Sequence, residues 1–148
     1  MGATQVIEKS LRFTPKFDEN GLIPAIAQDA RTGQVLMAAY MNRRALDLTI
    51  QTGCAVYFSR KRRKLWKKGE ESGHIQKVEQ ILIDCDQDCL ILKVTVEGGQ
   101  CHVGYQSCFY RALKKGSTKK LEFIAKKAYK PEKVYKKGKY HRCGKTSG

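Results

Sequence analysis

Residues 75–96 read IQKVEQILI, DCDQDC and LILKVTV in succession, and this stretch decides the fold. Leu90, Leu92, Val94 and Val96 alternate strictly with residues of the opposite face, and residues 75–83 alternate for most of their length. Period two is that of an extended chain with one face buried in a sheet. Two strands therefore flank an acidic turn. If the extended backbone continues into the turn, Asp84, Asp86 and Asp88 project to one side and Cys85 to the other. Carboxylate oxygens suit a hard ion such as Mg2+, and a thiolate suits a softer one such as Zn2+. The turn lacks the glycine and distal glutamate of a calcium-binding EF-hand loop. A solvated acidic turn is the plain alternative.

Upstream, residues 22–30 and 34–41 read as two apolar strands around Arg31-Thr32-Gly33, a hairpin turn with glycine available for a left-handed position. Asn42 can cap a short helix on which Met41, Ala45, Leu48 and Thr49 recur at helical spacing, and Gly53 can stop it. Residues 54–59 read as a third strand running into a basic stretch, 60–68, and then 69–73, all expected as loop. Downstream, Gly98-Gly99 makes the next reversal and the core ends near Leu113. The expected organisation is one domain over residues 1–113 followed by a basic, flexible tail over 114–148.

Composition narrows the function classes. With 148 residues the chain is sized for one ordinary domain. Its apolar runs fall far short of the roughly 20 residues needed to cross a bilayer. The first residues lack a basic cluster followed by an apolar run, so the expected compartment is the cytoplasm. Six cysteines in such a setting point to metal binding or catalysis rather than to a disulfide framework. The chain carries 29 Lys and Arg against 14 Asp and Glu. Residues 112–148 hold 13 of the basic and only 2 of the acidic side chains, which leaves the body nearly balanced. The charge excess is thus largely local to the tail.

Two further groups could carry chemistry. Cys101 and Cys108 are too far apart for a zinc knuckle and too close for a typical finger. Taken singly each reads as a small buried apolar residue, yet Cys101 adjoins His102, and Cys85 lies one hairpin away. Three thiolates would leave a fourth zinc position open, which distinguishes a catalytic zinc from a structural one. Residues 57–76, YFSRKRRKLWKKGEESGHIQ, hold seven basic residues among the nine from 60 to 68, together with Trp66, Ser72 and His74. Such a mixture can clamp phosphate and stack a base. A zinc-stabilised module that binds RNA through this stretch and the tail is the rival reading. Cys54, Cys89 and Cys143 fall outside the metal pattern, and His141 lies in the tail.

Taken together, SRKRRKLWKKGEESGHIQ, DCDQD and CHVGYQSCFYR, in that order, resemble phosphoribosyl-AMP cyclohydrolase of histidine biosynthesis over about residues 21–111. The resemblance implies hydrolytic opening of the adenine ring of 1-(5-phosphoribosyl)-AMP at the N1–C6 bond. It implies one Zn2+ per subunit on Cys85, Cys101 and Cys108, and Mg2+ on Asp84, Asp86 and Asp88. It further implies a compact α+β domain of bent mixed sheet with one or two short helices, intertwined as a homodimer whose zinc site draws Cys85 from one chain and Cys101 with Cys108 from the other. His102, and after it His74, are the expected proton carriers. Arg60, Trp66, Lys68 and Ser72 are the expected substrate contacts. Glu71 stands where relatives often carry a small hydroxyl residue.

Overall fold

The computed structural model describes residues 3–130. The chain forms α1 (Ala3–Lys9), β1 (Ile23–Asp29), β2 (Val35–Met41), α2 (Arg43–Thr52), β3 (Val56–Ser59), β4 (Lys64–Lys67), β5 (Gln76–Ile83), β6 (Leu90–Val96), β7 (Arg111–Leu113) and β8 (Leu121–Phe123). It is a small α+β domain, mostly mixed sheet with two short helices.

The main sheet has the order β2-β1-β6-β5, with β1 antiparallel to β2, parallel to β6, and β6 antiparallel to β5. The alternation of β6 is realised as expected: Leu90, Leu92, Val94 and Val96 are buried against Ile23, Ala25 and Ala27 of β1. The β1–β2 turn is held by Asp29, whose carboxylate accepts the amides of Arg31 at 2.8 Å and Thr32 at 3.2 Å, while Gly33 takes φ +77°. An Asp in this place mimics a backbone turn, and glycine tolerates the left-handed position.

Helix α2 starts and stops where its sequence directs. Asn42 accepts the Ala45 amide at 2.8 Å, and Gly53 closes the helix in the left-handed conformation with its amide on the Thr49 carbonyl. Thr49 is buried and its hydroxyl accepts the Val56 amide at 3.0 Å, which fixes β3 across the helix.

Two segments depart from expectation. The basic stretch is not loop throughout, because Lys64–Lys67 pair with Val56–Ser59 as a hairpin turned at residues 60–63. Past Leu113, β8 pairs with β7, and backbone contacts return the chain to the domain as far as Tyr129, so a hairpin spans the position expected to end the domain. Residues 131–148 of the expected tail, with His141 and Cys143, lie outside the described residues. No helix among the described residues is long and apolar enough to cross a membrane.

Candidate active site

A cavity of about 770 Å³ opens beside the β3–β4 hairpin, lined by Arg62, Lys64, Leu65, Trp66, Lys68, Gly69, Glu70, Glu71, Ser72 and His102. The hairpin creates it. Tyr57 and Trp66 are cross-strand partners with ring centroids 5.6 Å apart, and the left-handed Arg63 turns the strands. Trp66 thereby presents a face to the cavity while Lys68 follows it inward.

Lys68 is 7% exposed, and its ammonium donates to the Gln100 carbonyl at 2.5 Å and lies 5.5 Å from the Trp66 ring centroid. Burial pushes its pKa down, against an opposing pull from Cys108 and Cys101. Behind it runs a buried polar chain: Tyr57 donates to Gln76 at 2.5 Å, and Gln76 donates to the Gln100 side chain at 3.0 Å and to the Met37 sulfur at 3.2 Å. Every buried polar side-chain atom among the described residues has a partner. Satisfied networks of this kind hold their members in one arrangement.

Gln100 leads into the turn that carries Cys101. Cys101 is buried, and its thiol lies near enough to that of Cys108 to act on its charge. Cys108 is brought there by its backbone, whose amide donates to Leu36 at 2.7 Å while Ser107 donates to Val35 at 2.7 Å. The residue is exposed as a whole, yet burial of its thiol, reinforced by Cys101, pushes its pKa up to about 11, with Lys68 pulling the other way. His102 is exposed on the cavity wall, one residue beyond Cys101. Two neighbouring thiols are soft ligands of the kind zinc takes, and His102, although next to Cys101 in the chain, does not close a three-donor group with them.

The structure does not bring Cys85 to them within one chain. Among the described residues, Asp84, Asp86 and Asp88 alone form a group of three or more metal-capable side chains, with ligand atoms within 4.8 Å of one another. This convergence does not come from an extended backbone. The segment is a tight turn in which the Asp84 carboxylate accepts the Asp88 and Cys89 amides at 2.9 and 3.2 Å, and Gln87 sits at φ +61°. The buried Gln87 side chain holds the polar lead-in, accepting the Thr14 amide at 2.7 Å and donating to the Arg12 carbonyl at 3.0 Å. Hydrogen bonding with Asp84 and Asp86 raises Asp88 to about 6. Desolvation pushes Asp84 up, but hydrogen bonds from Asp88, the Asp88 and Cys89 amides and Asp86 together hold it below its ordinary value.

The remaining expected residues divide. Trp66, Lys68, Ser72 and His102 line the cavity. Arg60 does not: its guanidinium lies 4.1 Å over the Tyr40 ring centroid, and Arg62 and Lys64 supply the rim cations instead. His74 also stands off the cavity wall, its Nδ1 donating to the Gly99 carbonyl at 2.6 Å. Sequence reasoning missed Gln76 and Gln100, whose amides belong to a residue type that does not advertise chemistry.

The family model for phosphoribosyl-AMP cyclohydrolase matches residues 37–110, a span that holds the cavity, both thiols and the acidic turn. The chain belongs to the phosphoribosyl-AMP cyclohydrolase family. Relatives of that name extend the match on both sides of the span. The protein of Methanococcoides burtonii is 59% identical over 122 residues, covering 82% of this chain and 96% of its own length. Those of Chlorobium phaeovibrioides and Chlorobaculum tepidum are 52% and 53% identical, covering 95% and 93% of this chain and 100% and 98% of their own lengths. The cyclohydrolase family thus accounts for nearly the whole chain, which is an enzyme.

Proposed function

We propose that this enzyme hydrolyses 1-(5-phosphoribosyl)-AMP at the N1–C6 bond of its adenine ring, a step of histidine biosynthesis in the cytoplasm, as a homodimer with zinc and magnesium. The observation that carries the reading is the thiol pair Cys101–Cys108 behind a cation-rimmed, tryptophan-walled cavity with His102 on its wall. Family membership supports the same substrate, since the relatives bear that activity in their names.

The donors fit both metals. Cys101 and Cys108 supply two soft ligands, and Cys85, exposed on the acidic turn, supplies the third from the second subunit. The separation of Cys85 from the pair within one chain is what a shared site requires. Asp84, Asp86 and Asp88 supply clustered oxygens suited to Mg2+. Zinc, when bound, supplies a Lewis acid that makes water nucleophilic at neutral pH.

The chain's own groups do the rest. Alkylation at N1 makes C6 of the purine electrophilic, and Trp66 stacks the base so that C6 faces the thiol pair. Arg62 and Lys64 neutralise substrate phosphate at the rim. His102 accepts the proton of the attacking water and returns one to the departing amidine nitrogen as the N1–C6 bond breaks. Lys68 holds the Gln100 carbonyl and keeps the Cys101 turn in place rather than reaching out to phosphate.

The test follows phosphoribosyl-AMP by absorbance with the purified protein, before and after zinc chelation, with metal counted per chain. Turnover that stops on chelation and returns with zinc is the expected result. Turnover indifferent to chelation overturns the zinc assignment, and none in the zinc-loaded protein overturns the substrate.

A further inference from the structure

Tyr129 touches three parts of the site at once. Its hydroxyl donates to the Cys101 carbonyl. Its ring stands edge-on to His74, with centroids 4.8 Å apart and planes at 90°. It also fills the space above Gly99, where an added methyl would come within 2.5 Å of the ring carbons. The segment that carries it is tied to the same turn, because the amides of Ala128 and Tyr129 donate to the Gly104 carbonyl at 2.7 and 3.1 Å and Lys127 bridges to Tyr105. Gly104 in turn donates its amide to the Cys101 carbonyl at 2.9 Å, so that this oxygen accepts from both Gly104 and Tyr129. A carbonyl has two lone pairs, and both are used.

The same ring bears on His74. The Gly99 carbonyl can only accept, which assigns the hydrogen to Nδ1 in the neutral imidazole. Tyr129 packs against the ring so oriented, and a methyl on Gly98 would meet Nε2 at 2.8 Å on another side. The Gly98-Gly99 pair is therefore where two aromatic rings press on the backbone.

We infer that Tyr129 is a positioning residue of the active site, holding the Cys101 carbonyl with its hydroxyl and the His74 ring with its edge, from outside the residues 37–110 that the family model matches. The part that concerns Cys101 rests on the zinc reading above. The part that concerns His74 does not. Groups that hold a metal's ligands in place typically change metal affinity or activity by about 10–100-fold when removed.

The experiment compares Tyr129→Phe and Tyr129→Ala with the wild type in the full-length chain. It measures zinc affinity by competition, the absorption bands of the cobalt-substituted protein, kcat and KM, and the side-chain 1H–15N spectrum of His74. Tyr129→Phe is expected to weaken zinc binding and shift the cobalt bands while leaving the His74 signals in place. Tyr129→Ala is expected to do both, and to move His74 toward a mixture of tautomers with kcat falling about tenfold or more at nearly unchanged KM. Wild-type metal affinity, cobalt bands, kcat and His74 signals in Tyr129→Ala overturn the inference. If Tyr129→Ala does not fold, wild-type cobalt bands and zinc affinity in Tyr129→Phe overturn it. A wild type that binds neither zinc nor cobalt overturns the zinc reading instead, and the His74 signals of the two variants still decide the role of Tyr129.

Discussion

The Lys68 ammonium donates to the Gln100 carbonyl at 2.5 Å, joining the end of the β3–β4 hairpin to the residue before Cys101. A buried cation is thus spent on a backbone oxygen, and the polar chain through Gln76 to Tyr57 supports it from behind. Replacing Lys68 with Met leaves that carbonyl unsatisfied and is expected to cost about 1–3 kcal/mol in urea unfolding.

The pH dependence of the metal-free protein carries the same signature. Burial lowers the Lys68 pKa in the folded state, so this group's contribution to stability rises as pH climbs from that lowered value to the ordinary 10.5. Cys108 acts oppositely, since its pKa is raised from 9.0 to about 11 and the stability it contributes is lost as pH rises through that interval. Lys68→Met is expected to steepen the loss of stability above pH 9, and an unchanged profile would falsify the burial of the ammonium.

At the acidic turn the expected metal is felt through Asp88. Its pKa is raised from 3.8 to about 6, so in the metal-free protein this carboxyl's contribution to stability is lost as pH rises through that window. Mg2+ is expected to raise the melting temperature more at pH 7 than at pH 5, with Asp88→Asn removing most of the difference. Equal shifts at both pH values would remove the turn as a magnesium site.

Gly69 and Gly116 separate clash from conformation. Both have left-handed φ, +88° and +81°, but a methyl on Gly116 meets nothing within 4 Å, whereas on Gly69 it falls 2.6 Å from the His74 carbonyl carbon and closer still to the Ile75 amide nitrogen. Gly116→Ala is expected to cost about 1 kcal/mol, and Gly69→Ala clearly more, with loss of turnover because the cavity wall shifts. Similar melting temperatures for the two variants would contradict the packing at Gly69.

A shared zinc site predicts complementation. Cys85→Ser and Cys108→Ser are each expected to abolish turnover, and a mixture unfolded and refolded together is expected to recover part of it, because mixed dimers regain one intact ligand set. No recovery in such mixtures, alongside normal recovery of refolded wild type, would mean that each chain builds its own site.

The local parts of this architecture are written into the sequence and the long-range parts are not. Asn42, Gly53 and the alternation of Leu90, Leu92, Val94 and Val96 specify α2 and β6 from neighbouring residues alone. The pairing of β1 with β6 depends on side chains more than sixty positions apart, as with Ala25 and Leu90, and no local period reports it. Strand β4 was hidden by its charge: Lys64 and Lys67 read as solvated loop, yet a hairpin edge tolerates lysine well. In the site, the cysteines, histidines and aspartates announce themselves by type. Gln76 and Gln100 do not, because an amide becomes informative only once its burial is known. The place of Arg60 was illegible for the same reason, as one arginine in a run of basic residues gives no sign that it will settle on Tyr40.

The parallel register between β1 and β6 also sets an order of events during synthesis. When the β1–β2 hairpin emerges from the ribosome, the β1 edge facing away from β2 has no partner, because Leu90–Val96 has not yet been made. The hairpin must wait, with Ile23, Ala25 and Ala27 uncovered, until about 55 further residues are translated, a few seconds at ordinary rates of elongation. A nascent chain halted before Leu90 is therefore the form of this protein most exposed to chaperones and to aggregation, and the last strand of the sheet's interior is the one that ends that exposure.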